Sequence, residues 1–455
     1  MRECHSPFTH SNTVFPHYNV RIKKSSFCDN TVNAYTGYID IEARHIFFYF
    51  FESRNDPDTD DVIFWTNGGP GCSSSLGLFM ELGPCRVSDA NGTTFHPESW
   101  NTNANIFFVD QPIGVGFSYA DYGESVGTTE EGAKDIAAFI FVFFEHFTKF
   151  KGRSFHITGE SYGVCRGRYV PVFAAEVYDQ NARLAAAGYT PINLTSIMIG
   201  NGITDFYHQM SSSFDMQCTS ASVPPTLSIA DCVRMKPMVP RCEQRLKESC
   251  VDIFDAVDCA AAASFCDTQL KAPFWKSELN PYDISQPCDA DGLKDNLCYP
   301  VTAYIRAYLS RPSVRKTLGV DDAVPTNFSS CAPAVGSAFR AQMDSYRLTQ
   351  DYVGGLLERG VRVLIYVGTY DWICNWVGNE RWTLALEWSG QAEYAAEPLR
   401  PWAVGGDFTK GRAGLARSAK GLTFATIDKA GHMVPYDKPK EALDLVQRWL
   451  SGEGF

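Results

Sequence analysis

The chain has 455 residues, 45% of them hydrophobic and 13% aromatic, with 36 glycines and 24 prolines. That composition is globular and argues against fibrous, disordered and membrane-spanning classes. Forty Lys+Arg against 52 Asp+Glu give a formal charge of −12, which argues against nucleic-acid binding through a basic surface. The longest apolar run, around Ile136 to Phe144, falls far short of the ~20 residues of a spanning helix.

In chain order, Met1 to Tyr18 is polar, carries His5, His10 and His17, and has no apolar stretch of the signal-peptide kind. Residues 1–20 are expected to be irregular. From about Tyr35 to Asp205 short apolar runs (Val62 to Trp65, Ile106 to Val109, Phe155 to Thr158, Ile197 to Ile199) alternate with glycine-rich loops and helical stretches. This pattern predicts βαβ units and a largely parallel sheet. From Phe206 it breaks into cysteine-rich, proline-punctuated sequence, and from about Thr302 it returns, with strands at Val361 to Val367 and Leu422 to Ile427 and a closing amphipathic helix over Pro439 to Leu450. The expected organisation is one α/β core, residues 1–205 and 302–455, interrupted by an insertion over 206–301.

Eight of the fifteen cysteines fall between Cys218 and Cys298. That segment has no C-x2-C pair and no histidine, so disulfides in an oxidising compartment fit better than zinc. Sequons at Asn91, Asn193 and Asn327 agree with a secretory, glycosylated protein. An odd total leaves at least one sulfur outside intramolecular pairing.

The pattern G-x-S-x-G occurs twice. Gly123-Glu124-Ser125-Val126-Gly127 has no strand in front of it and reads as a glycine-rich turn. Gly159-Glu160-Ser161-Tyr162-Gly163 follows the strand ending at Thr158 and precedes a helical stretch, the context of a nucleophile elbow. A serine hydroxyl needs a histidine to take its proton and a carboxylate to orient that histidine. His432 is the one histidine beyond His208, and Asp371 lies in the loop after the strand Val361 to Val367. The order Ser, Asp, His and the position of both groups after strands match an α/β-hydrolase. After the first predicted strand, Asn67-Gly68-Gly69-Pro70-Gly71-Cys72-Ser73-Ser74 offers unobstructed backbone N–H groups suited to an oxyanion hole. A phosphate loop would need a lysine that is absent here.

Together with Glu81-Leu-Gly-Pro84, Val109-Asp-Gln-Pro-Ile-Gly-Val-Gly-Phe-Ser-Tyr119, Asp371-Trp-Ile-Cys-Asn375 and Gly431-His-Met-Val-Pro435, these strings resemble the serine carboxypeptidase family over nearly the whole chain. The resemblance implies an α/β-hydrolase fold, a mostly parallel sheet flanked by helices, with an inserted, disulfide-rich, mainly helical lid. It implies release of C-terminal amino acids from peptides and proteins at acidic pH by an acyl-enzyme route, without metal or organic cofactor. By matching positions, Ser161, His432 and Asp371 form the triad, and the N–H groups of Gly69 and Tyr162 the oxyanion hole. Asn67, Gly68, Glu81 and Glu160 would hold the substrate's terminal carboxylate, with Cys374 and Met433 bordering the side-chain pockets. No arginine occurs in these motifs. Protonated glutamates at mildly acid pH can donate to a carboxylate instead, because burial and mutual repulsion raise carboxyl pKa values.

The same resemblance suggests the pairs Cys218 with Cys232, Cys242 with Cys266, Cys250 with Cys259, Cys288 with Cys298 and Cys72 with Cys331, and a free thiol at Cys374. Cys28 and Cys85 are open to each other, whereas Cys4 and Cys165 have no obvious partner. The implied location is secreted or vacuolar and lysosome-like.

Two departures stand out. Gly368-Thr369-Tyr370-Asp371 lacks an acid usual two residues before Asp371, and Val164, Cys165 and Arg166 look like an insertion after the elbow. Three residues rotate a continuing helix by about 60° unless a bulge absorbs them. Two alternatives therefore stand beside hydrolysis: an acyltransferase on the same fold, and an inactive binding or chaperone-like homologue crippled by the insertion.

Overall fold

A computed structural model describes residues 8–10, 17–163 and 168–455. Val164, Cys165, Arg166 and Cys4 lie outside the described residues. The chain divides into two compact units, one of residues 1–159, 172–197 and 301–342, the other of 160–171, 198–300 and 343–455.

In the first unit, Phe8–His10, Tyr18–Ser25, Ala34–Ile41 and Arg44–Phe51 pair antiparallel in sequence order. The stretch expected to be irregular, 1–20, therefore contains one short strand and the start of another. Tyr18–Ser25 carries Asn19, Arg21, Lys23 and Lys24, a weaker strand signal than the apolar runs that follow. Arg44–Phe51 continues antiparallel to Asn105–Val109, which is parallel to Val62–Thr66, itself parallel to Phe155–Glu160. These last strands are wholly buried, as the continuous apolar runs require for a sheet covered on both faces.

Helix Thr129–His146 supplies part of that cover. Thr128 caps it by accepting from the Glu131 N–H, with Glu130 and Glu131 in its first turn and His146 in its last, complementing the dipole. The Phe143 ring lies 4.7 Å from Phe107 and 5.0 Å from Phe50, so the apolar run is spent on the core. No described helix is long and apolar enough to cross a membrane.

In the second unit, Arg362–Gly368 runs parallel to Leu422–Ile427, which continues antiparallel to Gly414–Ala419 and then Arg400–Trp402. Helix Pro439–Ser451 buries Ala442, Leu445, Val446 and Trp449 and stops at Gly452, whose φ of 76° suits glycine. Between residues 206 and 300 lie short helices, a two-stranded ribbon and four disulfides: Cys218–Cys232, Cys242–Cys266, Cys250–Cys259 and Cys288–Cys298. The sulfurs of Cys242, Cys250, Cys259 and Cys266 pack with Met235, Leu246, Ala262 and Leu270. Here cross-links are part of the core, which adds to what helices this short can bury. In the first unit Cys28–Cys85 and Cys72–Cys331 also form.

Candidate functional site

Strand Phe155–Glu160 ends at a sharp turn, and Ser161 adopts φ of 62°. A non-glycine residue in the left-handed region costs ~1–2 kcal/mol and persists where surrounding structure holds it. That is the conformation of an elbow. The following Tyr162 is 1% exposed and the preceding Glu160 equally buried. The other pentapeptide follows only the two-residue strand Tyr119–Ala120, and its Ser125 is exposed, with the next helix starting at Thr129.

The second unit brings Asp371 and His432 together. Gly368 and Ile427 are register partners at the ends of adjacent parallel strands, so the loops after them emerge side by side. A Cβ on Gly368 would lie 2.1 Å from the Gly431 carbonyl oxygen, and only glycine permits this approach. His432 Nδ1 is 2.7 Å from Asp371 Oδ2, with both side chains essentially inaccessible. With Asp371 ionised, Nδ1 carries the proton and Nε2 is left as the basic atom. Nε2 makes no hydrogen bond, so Ser161 Oγ is not bonded to it here. Such contacts are commonly loose without substrate and tighten in the reacting complex.

Three further groups hold the pair. Asn201 donates from Nδ2 to Asp371 Oδ2 at 2.8 Å and to the Gly431 carbonyl at 3.3 Å, while its Oδ1 accepts from the Gly368 N–H at 3.4 Å. The Cys374 N–H donates to Asp371 Oδ1 at 3.2 Å. The His432 N–H donates to the Tyr282 carbonyl at 2.7 Å, and the Tyr282 ring stands 5.1 Å from the imidazole. Asn201 and Tyr282 escape sequence reasoning. A polar residue between Gly200 and Gly202 at a strand's carboxyl end was the available signal for the first, and Tyr282 contributes only backbone and ring.

Cys374 corrects an expectation: it is disulfide-bonded, not a free thiol. Motif position gives its place beside Asp371 but not its oxidation state. Its ligand atom lies within 4.8 Å of those of Asp371 and His432, yet an oxidised sulfur offers no thiolate to a metal. Met433 is buried at the start of the turn Val434–Asp437.

In the first unit Asn67, Gly68, Gly69 and Glu81 come together. Asn67 Oδ1 accepts from Trp65 Nε1 at 2.8 Å and from the Gly77 N–H at 2.9 Å, which turns its Nδ2 toward Glu81 Oε1 at 3.4 Å. Asn67 and Glu81 are buried, whereas Gly69 is exposed with φ of 113°. The loop is pinned by Cys72–Cys331 and by Asp110, whose carboxylate accepts from Ser73 Oγ at 2.5 Å, the Ser74 N–H at 3.1 Å and the Phe117 N–H at 2.9 Å. Full burial pushes the Asp110 pKa up to about 6, against the pull of those donors.

The first unit also holds a second Ser-His-Asp set: His156 lies 2.7 Å from Ser196 Oγ through Nδ1 and 3.0 Å from Asp61 Oδ2 through Nε2. Ser196 is wholly buried in the strand Leu194–Gly200, so this set ties strands together and presents no nucleophile.

The geometry of an elbow serine, a buried Asp–His pair and a pinned glycine loop agrees with what similarity finds. Residues 26–452 match the serine carboxypeptidase family. This chain belongs to that family. The carboxypeptidase is 41% identical over 442 residues to carboxypeptidase Y of Candida albicans, a match covering 96% of this chain and 77% of the other. It is 39% identical over 448 residues to the vacuolar serine-type carboxypeptidase ATG42 of Saccharomyces cerevisiae, covering 98% and 85%. Among solved structures, the prohormone-processing carboxypeptidase Kex1Δp of Saccharomyces cerevisiae superposes with a TM-score of 0.80 at 23% identity, over 94% of this chain and 93% of that one. The fold is that of an α/β-hydrolase, and the enzyme class is serine-type carboxypeptidase.

Proposed function

We propose that the carboxypeptidase releases C-terminal amino acids from peptides and proteins through an acyl-enzyme on Ser161. The observation that carries this reading is the buried 2.7 Å hydrogen bond between His432 Nδ1 and Asp371 Oδ2, which leaves Nε2 as the atom able to take a proton. Nε2 accepts the Ser161 proton as Oγ attacks the scissile carbonyl carbon, and the oxyanion is held by the N–H groups of Gly69 and Tyr162. The imidazolium then protonates the leaving amine, water attacks the acyl carbon with Nε2 as base, and Ser161 is regenerated.

Asn67, Gly68, Glu81 and Glu160 hold the substrate's terminal carboxylate. Their burial supports the reading, because a protonated carboxyl in an apolar place donates to an anion where an ionised one repels it. Activity therefore favours acid pH. Cys374 and Met433 border the side-chain pockets, with Cys374 acting through its bulk and backbone. Residues 206–301 form the lid over the core made by 1–205 and 302–455. Exposure of Asn91, Asn193 and Asn327 supports glycosylation, in keeping with a vacuolar or secreted location.

The test is Ser161→Ala, assayed at acid pH with a blocked dipeptide and a fluorophosphonate probe. Loss of both amino-acid release and labelling is expected. Release that survives the substitution sinks the assignment.

A further inference from the structure

At the position after the nucleophile the reaction requires only a backbone N–H, yet Tyr162 is fully buried and its phenol reaches a charged group. Its hydroxyl donates to Asp344 Oδ2 at 3.2 Å and lies 3.2 Å from Ser345 Oγ. The other oxygen of the same carboxylate accepts from Arg168 Nη1 at 2.6 Å. Asp344 is 2% exposed and Arg168 3%. All four residues belong to the second unit. Burial, with the Asp344 charge, raises the Tyr162 pKa, so the hydroxyl remains a donor. The Tyr162 ring also meets the Tyr169 ring edge-on at 5.4 Å.

One carboxylate thus grips the chain on both sides of residues 163–167, the stretch that contains Val164, Cys165 and Arg166. Buried ions survive only when paired and hydrogen-bonded, so the grip has a strong preference for a single geometry. We infer that Asp344 is a positioning residue: by clamping the side chains of Tyr162 and Arg168 it fixes the peptide plane whose N–H meets the oxyanion. It also makes the elbow independent of the length of the segment that follows. The inference rests on the reading of Ser161 and Tyr162 given above. It uses no contact of Asp344 with substrate.

The experiment compares wild type, Tyr162→Phe and Asp344→Asn as full chains. Active sites are titrated with a fluorophosphonate, and kcat and KM are then measured on a blocked dipeptide per titrated site. Oxyanion donors act over a few tenths of an ångström, and a misplacement of about 1 Å costs on the order of 100-fold. Expected is a fall in kcat of about 100-fold for Asp344→Asn and about 5- to 10-fold for Tyr162→Phe, with KM within about twofold. A purely structural role lowers Tm and the titratable fraction but leaves kcat per titrated site unchanged. Where Asp344→Asn does not fold, Tyr162→Phe decides, since it keeps the Arg168–Asp344 pair. A Tyr162→Phe kcat within twofold of an active wild type overturns the clamp alone. A wild type that neither labels nor releases amino acids overturns the Ser161 reading, and the clamp with it.

Discussion

Replacing Asn201 tests how much of the proposed serine chemistry depends on a buried residue that acts through Asp371. Its amide makes three hydrogen bonds, to Asp371, Gly431 and Gly368, and is fully buried. A hydrogen bond to a charged group contributes ~1.5–3 kcal/mol, and each 1.36 kcal/mol is about tenfold in rate. If Asp371 turns away from Nδ1 when its second donor goes, kcat should fall by about 10- to 100-fold.

The backbone complicates the choice of replacement, because Asn201 has φ of 47°. Asparagine and glycine tolerate that region, whereas alanine pays ~1 kcal/mol or more. Asn201→Gly and Asn201→Ala should therefore show the same loss in kcat, with alanine melting about 2 °C lower. Steady-state kinetics on a blocked dipeptide and thermal unfolding of both proteins provide the measurements. A folded Asn201→Gly enzyme with kcat within twofold of wild type refutes the reasoning.

Other expectations follow from separate parts of the molecule. Burial pulls the His45 pKa down, but its 2.7 Å hydrogen bond to Asp40, the Asp40 charge and Asp121 outweigh this and raise it. The stabilisation is therefore full below the ordinary imidazole value and is lost as pH rises through the folded one. The Tm gap between wild type and His45→Gln should be wide at about pH 5 and narrow at about pH 8.5, and equal gaps would contradict it. Removing Cys72–Cys331, which closes a sequence separation of 259, by serine at both positions should cost ~2–5 kcal/mol in denaturant unfolding and reduce kcat through the loosened glycine loop. An unchanged midpoint speaks against that role. Ser125→Ala should leave kcat/KM within about twofold, as expected of an exposed surface residue, and a large loss would mean the wrong pentapeptide was chosen.

The strands before these loops were legible because they are short, mostly apolar runs: Leu422–Ile427 appears at its predicted bounds, and Arg362–Gly368 is displaced by one residue. The pairing of Asp371 with His432 was legible because chain order and isolation singled them out. Asn201 and Asp344 were not, since the role of each comes from partners distant in sequence, and no periodicity marks such a residue. The oxidised state of Cys374 was hidden because motif position carries no redox state.

The buried set of Ser196, His156 and Asp61 bears on how this enzyme can be counted. Its members have the identities of a hydrolytic triad, but the ring nitrogens are exchanged, Nδ1 meeting Ser196 and Nε2 meeting Asp61, and Ser196 is wholly buried inside a strand. One mole of protein should then consume one mole of fluorophosphonate. The end point of such a reaction therefore reports the fraction of molecules that are correctly folded.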